Sequence, residues 1–271
     1  MSLLETFAEV EHHFRPLLAY LPADAAAKIT SYGKTQFIKK YVNDIPDDKV
    51  IYSKDQSVKL WGIRFNAPIF NAAGMFKLGK GYHVVANQGA GAFLAGTTTY
   101  RSREGNIKHK TTHPFLPFPR SQAAINWMGL PNPGHEVVAS RLSKIERVKN
   151  CPIGISLSYD SVDTKEIALK NMVLGLEMYD RAGVDFIEVN ESCPNVEGKS
   201  VSNNLEPELI DRLEYISKNF ISKLNRNLPV IVKLSNDTNI NQVDDLVKIL
   251  SDLKYAGVNF GNTSNASPTI P

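Results

Sequence analysis

Short apolar runs alternate with longer segments of helical periodicity along most of this chain, and this alternation constrains its fold more than any other feature. Each run has four or five residues and the largely apolar character of a strand buried on both faces. The runs predicted as strands are 68–71, 92–96, 153–157, 186–189, 230–234 and 258–261. Because such strands joined by helices form α/β folds, we predict a (β/α)8 TIM barrel whose last two β/α units are absent from the sequence shown.

The segments between the predicted strands carry the single apolar stripe of helices that cover a sheet. After Pro207, the residues on one helical face are Leu209, Leu213, Ile216 and Phe220. The next stripe covers 243–253 and ends before Gly257. We predict that Asn239 and Gln242 form a capping pair at the start of this helix.

Residues 1–40 are predicted to form a separate amphipathic helical element, and residues 41–271 to form the barrel domain. Apolar residues recur at spacings of three and four from Leu3 to Leu18, Pro22 ends this run, and Asp24 is suited to cap a second helix. Such helices either lie on a membrane surface or pack against the bottom of the barrel. The sequence leaves both arrangements open.

Composition excludes some classes of function. A chain of 271 residues with 42% hydrophobic content can bury a large core, and its net charge of +3 comes without the basic stripe that predicts nucleic-acid binding. Two cysteines fit a reducing compartment. We expect no signal peptide and no membrane-spanning segment. His109 and His113 are four residues apart in a proline-containing segment, and no metal site is predicted there.

Most of the predicted strands end in polar or small residues, and in a parallel barrel these ends share the rim where active sites lie. These residues are 72–74 followed by Lys77, 96–99, 190–195, Lys233, and Asn262 with Thr263. Together they suit a flat aromatic cofactor, because small residues allow close approach, amides bond to carbonyls and a lysine neutralises charge that develops on reduction. The alternative for Lys233 is a solvated strand end or a partner of Asp185 or Glu188.

Cys193 follows the fourth predicted strand and lies between Asn190 and Asn195. A thiol there offers a proton acceptor beside two amides that can fix a planar, hydrogen-bond-rich ligand. The alternative is a buried structural cysteine, since free cysteine often packs as a small hydrophobe. Cys151, at the start of a strand and on the opposite rim, is interpreted as structural.

Six segments resemble, in order and approximate spacing, those of dihydroorotate dehydrogenases from residue 60 to the end of the chain. They are Asn-Ala-Ala-Gly at 71–74 with Lys77, Arg-Glu-Gly-Asn at 103–106, Ala-Ile-Asn-Trp-Met-Gly-Leu-Pro-Asn at 124–132, Asn-Glu-Ser-Cys-Pro-Asn at 190–195, Val-Lys at 232–233 and Asn-Thr at 262–263. The runs at 125–132 and 190–195 are specific, whereas the Ala-Ala-Gly turn alone would be weak.

The resemblance implies oxidation of dihydroorotate to orotate in de novo pyrimidine (UMP) biosynthesis, with FMN across the barrel mouth. Cys193 would take a proton from C5 while a hydride passes from C6 to N5 of the flavin. The implied cofactor contacts are Ala73, Gly74, Thr97, Asn190, Lys233 and Gly261. The implied substrate contacts are Lys77, Asn126, Met128, Gly129, Leu130, Asn195, Asn262 and Thr263. Asn190 would reach both ligands.

The sequence combines features of two classes within the family. The N-terminal helices and the 103–106 segment resemble the quinone-reducing class, which is peripheral on the cytoplasmic side of a membrane. Three features resemble the soluble cytoplasmic class, which uses fumarate or, through a partner subunit, NAD. They are Cys193, Ser156 in place of an expected asparagine, and the sequence at 128–132. We favour the quinone; the alternatives are the soluble class, a related dihydropyrimidine dehydrogenase and an inactive barrel fragment.

Family members continue through two more strands, whose glycine-rich ends bind the FMN phosphate. The glycines at 79–81 and 89–91 are too weak a signal for a phosphate loop, so we expect this sequence to be part of a longer protein. The basic, proline-rich stretch 101–120 is predicted to be a loop over the barrel mouth near the substrate; the alternative is a docking surface for another protein.

Overall fold

The computed structural model of the protein describes residues 3–41, 55–106, 115–118, 121, 123–160, 162–192 and 205–261. The α-helices are α1 (Leu3–Phe14), α2 (Ala23–Tyr41), α3 (Tyr82–Asn87), α4 (His135–Leu142), α5 (Lys165–Arg181), α6 (Pro207–Asn219) and α7 (Val243–Asp252). Short 3-10 helices span Arg15–Tyr20, Ile221–Lys223 and Ile240–Gln242. The strands are β1 (Val58–Leu60), β2 (Ile63–Phe65), β3 (Phe93–Thr98), β4 (Phe115–Phe118), β5 (Ala123–Asn126), β6 (Ile153–Leu157), β7 (Phe186–Asn190), β8 (Val230–Leu234) and β9 (Gly257–Phe260).

Five strands form a parallel sheet in the order β3, β6, β7, β8, β9. Strands and helices alternate from β6 onward, so each helix carries the chain back to start the next parallel strand. This is the arrangement of successive β/α units in a barrel. The structure therefore confirms five of the six predicted strands and both predicted helices after Pro207.

The strand predicted at 68–71 is wrong. Asn71 instead pairs with β3 through its side chain: Nδ2 donates to the carbonyl of Leu94 at 2.8 Å, and the N–H of Leu94 donates to Oδ1 at 3.2 Å. The backbone lies close by, since the N–H of Gly91 donates to the carbonyl of Ile69 at 2.8 Å. A side chain thus replaces the backbone ladder, and Pro68 has no N–H to contribute to one.

The predicted capping pair is half right. Asn239 accepts a hydrogen bond from the N–H of Asn241 at 3.0 Å and so caps the short 3-10 helix that precedes α7. Gln242 makes no cap; its Oε1 accepts from the N–H of Leu205 at 3.1 Å. The side chain therefore ties the start of α7 to the segment that leads into α6.

The two faces of the sheet differ in chemistry. Side chains alternate along a strand, so Ile187 and Val189 of β7 face the helices and join the main apolar core. Phe186, Glu188 and Asn190 occupy the other face, which becomes more polar toward the carboxyl end of the strand. This inner face is therefore apolar at its base and polar at its rim.

The base of the inner face is covered by the β1–β2 hairpin. Trp61 and Phe65 pack against Phe186, with ring centroids 6.2 and 6.1 Å from that ring. The indole Nε1 of Trp61 donates to the carbonyl of Ala256, just before β9, at 3.1 Å. The amino ends of the strands are thereby closed by aromatic packing, which leaves the carboxyl ends for a functional site.

The N-terminal helices contact the β4–β5 hairpin. The strand β4 pairs antiparallel with β5, so the predicted 101–120 loop is a strand over its 115–118 part. Both α2 and the 3-10 helix Arg15–Tyr20 lie against β4. The contact is thus with a hairpin that follows the rim of β3, rather than with the opposite end of the barrel. Within the described residues, no helix has the length and apolar character required to cross a bilayer.

Candidate functional site

Polar side chains from neighbouring strands meet on the inner face at the carboxyl end of the sheet. Asn190 of β7 lies opposite Lys233 of β8, and Lys233 lies opposite Asn259 of β9. Thr97 joins them because the register between β3 and β6 shifts between Gly96 and Thr98. Such an irregularity re-aims a side chain, and here it turns Thr97 toward Asn190.

Asn190 is held from two sides. Its Nδ2 donates to Oγ1 of Thr97 at 2.8 Å, and its Oδ1 accepts from both the N–H and the hydroxyl of Ser192, at 3.1 and 2.8 Å. The hydroxyl of Ser158 donates to the Asn190 carbonyl at 3.2 Å. The amide of this predicted flavin and substrate contact is therefore preorganised within the protein.

A buried carboxylate lies one step below this amide. Glu188 is fully buried, and its Oε1 accepts from the hydroxyl of Ser156 at 2.8 Å. Its Oε2 accepts from Nδ2 of Asn259 at 2.9 Å. The Ser156 hydroxyl also lies 2.9 Å from Oγ1 of Thr97. One hydrogen-bond chain thus connects Glu188 to the rim.

Lys233 is buried, with 7% of its surface exposed, and its ammonium makes no hydrogen bond or ion pair within the described part of the chain. The alternative partners proposed from the sequence are both engaged elsewhere. Asp185 pairs with Arg147 and accepts from the N–H of Ile153, while Glu188 is bonded as described above. An unpaired buried cation is costly, so this group suits an anionic or electron-rich ligand.

Thr98 and Thr99 fix the structure behind Thr97. Thr98 points to the helical side, where its hydroxyl lies 2.8 Å from the Tyr179 hydroxyl and 3.0 Å from Nδ1 of His135. Thr99 bonds to Asn132, whose Nδ2 donates to Oγ1 of Thr99 at 2.9 Å. Three consecutive threonines therefore anchor β3 to the inner site, to the helices and to the loop that follows β5.

Four predicted substrate contacts lie at the end of β5 and in the loop that follows it: Asn126, Met128, Gly129 and Leu130. Asn126 is the last residue of β5. The carbonyl of Met128 accepts from the N–H of Asn106 at 3.0 Å, and a methyl group on Gly129 would lie 2.4 Å from Oδ1 of that asparagine. This close approach, at a positive φ of 64°, requires glycine.

The same loop is anchored to the rim segment after β3. Arg103 and Asn132 exchange two backbone hydrogen bonds, at 2.8 and 2.9 Å. The guanidinium of Arg103 also pairs with Asp160, in the segment that follows β6, at 3.0 Å. The loop is thus fixed beside the carboxyl end of the sheet.

The first predicted cofactor turn also lies beside β3. The N–H of Gly74 donates to the Gly96 carbonyl at 2.7 Å, and the N–H of Gly96 donates to the Lys77 carbonyl at 3.0 Å. Ala73 packs at the margin of the inner aromatic cluster. A methyl group on Gly74 would meet no atom of the described residues within 4 Å, so the described part of the chain leaves room beside this turn.

Several predicted site residues lie outside the described residues: Cys193, Asn195, Asn262 and Thr263. Their neighbours Ser192 and Gly261 are described, and the N–H of Gly261 donates to the Leu234 carbonyl at 3.2 Å. Cys151 lies at the opposite end of the sheet, where burial raises the pKa of its thiol to about 11. This environment suits packing rather than proton transfer.

The sequence interpretation assigned no role to Glu188, Ser156 or Asn259 in the site. The sequence does contain a signal for these three site residues, because each is a polar residue within a largely apolar strand. Arg212 of α6 is likewise absent from the predicted site; it pairs with the buried Glu191 at 2.9 Å and lies 5.4 Å from the ring centroid of Tyr159. Burial lowers the pKa of Arg212, but the charge of Glu191 and its hydrogen bond outweigh it and leave the pKa raised.

The model of the dihydroorotate dehydrogenase family matches residues 56–270 of this chain. A dihydroorotate dehydrogenase (quinone) of Gloeobacter violaceus is 32% identical over 209 residues, which are 77% of this chain and 56% of that protein. One from a Synechococcus strain is 29% identical over 208 residues, with 77% and 52% covered. One from Xylella fastidiosa is 26% identical over 259 residues, with 95% and 71% covered. The chain thus spans about half the length of the first two relatives.

Solved structures are similar as well. DHODH of Eimeria tenella in complex with ferulenol superposes with a TM-score of 0.75 at 18% identity, covering 88% of this chain and 68% of that one. The ligand-free form gives a TM-score of 0.73 at 20% identity, with 88% and 70% covered. At this identity the likeness concerns the fold, and it supports the predicted β/α barrel.

Proposed function

The chain belongs to the dihydroorotate dehydrogenase family, and we propose that it oxidises dihydroorotate to orotate with FMN, in de novo pyrimidine (UMP) biosynthesis. The observation that carries this proposal is the largely buried Lys233, whose ammonium pairs with no described residue, opposite the preorganised amide of Asn190. FMN, when bound, supplies the acceptor for the hydride from C6 of dihydroorotate. The residues present suit it, since no described atom would lie within 4 Å of a methyl group on Gly74 and Lys233 supplies a positive charge.

We assign the flavin contacts to Ala73, Gly74, Thr97, Asn190, Lys233 and Gly261. Small residues at 73 and 74 permit a planar group to approach the backbone. Asn190 and Thr97 contribute an amide and a hydroxyl whose orientations are set before any ligand arrives. Lys233 supplies positive charge in a site shielded from water, where charge stabilisation is worth more than in solvent.

The proposed base is Cys193, which removes the proton from C5 of dihydroorotate. An ordinary thiol has a pKa near ~8.5, so the reaction needs either a site that favours the thiolate or a rising pH. The proposed substrate contacts are those named from the sequence, on the loop that ends in Leu130, on Lys77 and after β7 and β9. They supply amides and one ammonium for a ligand that carries a carboxylate and ring carbonyls.

We propose a quinone as the electron acceptor and peripheral contact with a membrane through the N-terminal helices. Curated relatives carry the name dihydroorotate dehydrogenase (quinone), and this chain has exposed apolar residues on α1 and on the 3-10 helix after it. The largest of these are Phe14, Leu17 and Tyr20. A helical element over residues 1–40, separate in function from the barrel, fits this role.

The test is a steady-state assay of the full natural protein loaded with FMN. Dihydroorotate is supplied with a long-chain quinone, fumarate or NAD in turn, and orotate is measured in each case. Quinone-dependent turnover is expected to exceed the other two by at least tenfold. A flavoprotein that reduces fumarate or NAD as fast would contradict the quinone assignment, and one that fails to form orotate with any acceptor would contradict the proposed reaction.

A further inference from the structure

The amide of Asn190 has a direction that a backbone group fixes. The N–H of Ser192 can only donate, so the Asn190 atom 3.1 Å away must be the carbonyl oxygen Oδ1. The amide nitrogen is consequently turned toward Thr97, whose Oγ1 accepts from it at 2.8 Å. The direction of donation is thereby fixed at the Asn190 end of the hydrogen-bond chain that leads to Glu188.

The other end is set by Glu188. In its ionised form the Glu188 carboxylate only accepts; the hydroxyl of Ser156 then donates to it, and the hydroxyl of Thr97 donates to Ser156. In this arrangement both hydroxyl hydrogens and one amide hydrogen of Asn190 have acceptors within the chain. The hydrogen bonds therefore run in one direction, from Asn190 through Thr97 and Ser156 to Glu188.

Stability alone does not account for this carboxylate. Glu188 is fully buried, its oxygens accept from two neutral groups, and no cation lies within ion-pair distance of it among the described residues. A buried charge without a counter-charge is costly, and apolar replacement of buried charges is often neutral or stabilising. The position is also on the inner face, directly below the residues assigned to the flavin.

We propose that Glu188 is a positioning residue of the flavin site, an inference that rests on the proposed function. Its carboxylate holds the Thr97 hydroxyl and the Asn190 amide in one orientation, so that Thr97 presents only a lone pair to a ligand. Its negative charge lies on the same face as the ammonium of Lys233 and opposes it. The two residues together set how readily the bound flavin accepts electrons.

Two substitutions separate orientation from charge. Glu188→Gln removes the charge but keeps a carbonyl that can accept from Ser156, whereas Glu188→Leu removes both. Each is expected to raise the flavin reduction potential, shifting the ratio of reduced to oxidised flavin at a fixed potential about tenfold, or ~30 mV for two electrons. Only Glu188→Leu is expected to slow flavin reduction by dihydroorotate tenfold or more. The matched control is Asp185→Asn, which removes a carboxylate from the amino end of the same strand.

An unchanged potential in Glu188→Gln, equal to that of the control, would overturn the proposal, as would equal reduction rates in the Gln and Leu variants. If the Glu188→Leu variant does not fold, the reduction potential of the flavin bound to the Glu188→Gln variant still tests the proposal. An infrared difference spectrum of flavin-free protein, wild type minus Glu188→Gln, should show the band of an ionised carboxylate. The band of a protonated carboxyl group in its place would also overturn the proposal. If wild-type protein binds FMN but dihydroorotate does not reduce that flavin, the proposed function is contradicted. The flavin reduction potentials of the Glu188 variants still test the role of Glu188 in that case.

Discussion

Lys233 and Asn190 lie directly opposite each other across the β7–β8 pair, and both side chains are buried at the carboxyl end of the sheet. Asn190 is hydrogen-bonded to Thr97 and Ser192, whereas Lys233 has no protein partner among the described residues. The pairing thus combines a fixed amide with a cation that forms no ion pair with any described residue. A ligand that gains negative charge during the reaction would complete it.

Lys233→Ala should therefore weaken FMN binding and lower the reduction potential of the bound flavin, because the reduced form loses a nearby positive charge. Lys233→Arg should recover little, since a planar guanidinium differs in size and geometry from a compact ammonium. A reduction titration of FMN-loaded protein measures the reduction potential. Lys248→Ala, on the exposed face of α7, is the control for loss of one positive charge. An unaltered potential in Lys233→Ala would remove this residue from the flavin site.

Cys193→Ala should leave FMN and orotate binding nearly intact while flavin reduction by dihydroorotate slows roughly a hundredfold, the scale of general-base removal. Stopped-flow absorbance of the flavin measures the rate. Cys151→Ala is the matched control, because that buried thiol lies at the amino end of β6, away from the rim. Equal rates in the two alanine variants would show that another group takes the proton.

Phe14→Glu should weaken association with lipid vesicles and slow flavin reoxidation by a long-chain quinone, because it places a charge on an apolar surface. Phe14 is 62% exposed at the end of α1. The rate of flavin reduction by dihydroorotate should not change. Val247→Glu provides a control on α7, where an apolar side chain is 46% exposed. Similar losses in both variants would argue against a specific role for the N-terminal helices.

The regular part of the fold could be predicted from sequence because its signals are local. The run 153–157 is apolar except for Ser156 and forms β6 with the same bounds. The run 68–71 has a similar composition but no strand, since the Asn71 side chain takes the place of the backbone in pairing with Leu94. Composition alone does not distinguish a backbone ladder from a side chain that imitates one.

The candidate site was predictable only in part, because its parts meet through strand register. Ser156 and Glu188 are 32 residues apart and become partners where β6 pairs with β7. Neither residue belongs to a recognisable motif. Asn190 and Lys233, in contrast, end strands that the sequence predicts, so their placement at one rim followed from the fold.

His135 should make the protein less stable in mild acid. It is buried between α5 and the sheet, its ring packs on Gly175, and Nδ1 lies 3.0 Å from the Thr98 hydroxyl. Burial lowers its pKa from 6.5 to about 3. The unfolded chain therefore binds a proton below pH 6.5 that the folded protein does not bind until about pH 3.

The free energy of unfolding should consequently fall by about 2 kcal/mol from this group between roughly pH 7 and pH 5, with the loss continuing toward pH 3. Urea unfolding of wild type and His135→Gln at the two pH values measures the difference. The glutamine variant should lose this part of the pH dependence, since its amide does not titrate. His12→Gln removes an exposed histidine from α1 and should retain the wild-type dependence. The same pH dependence in His135→Gln as in wild type would mean that the imidazole is protonated in the folded protein. Its Nε2, which has no partner among the described residues, would then be bonded to an acceptor.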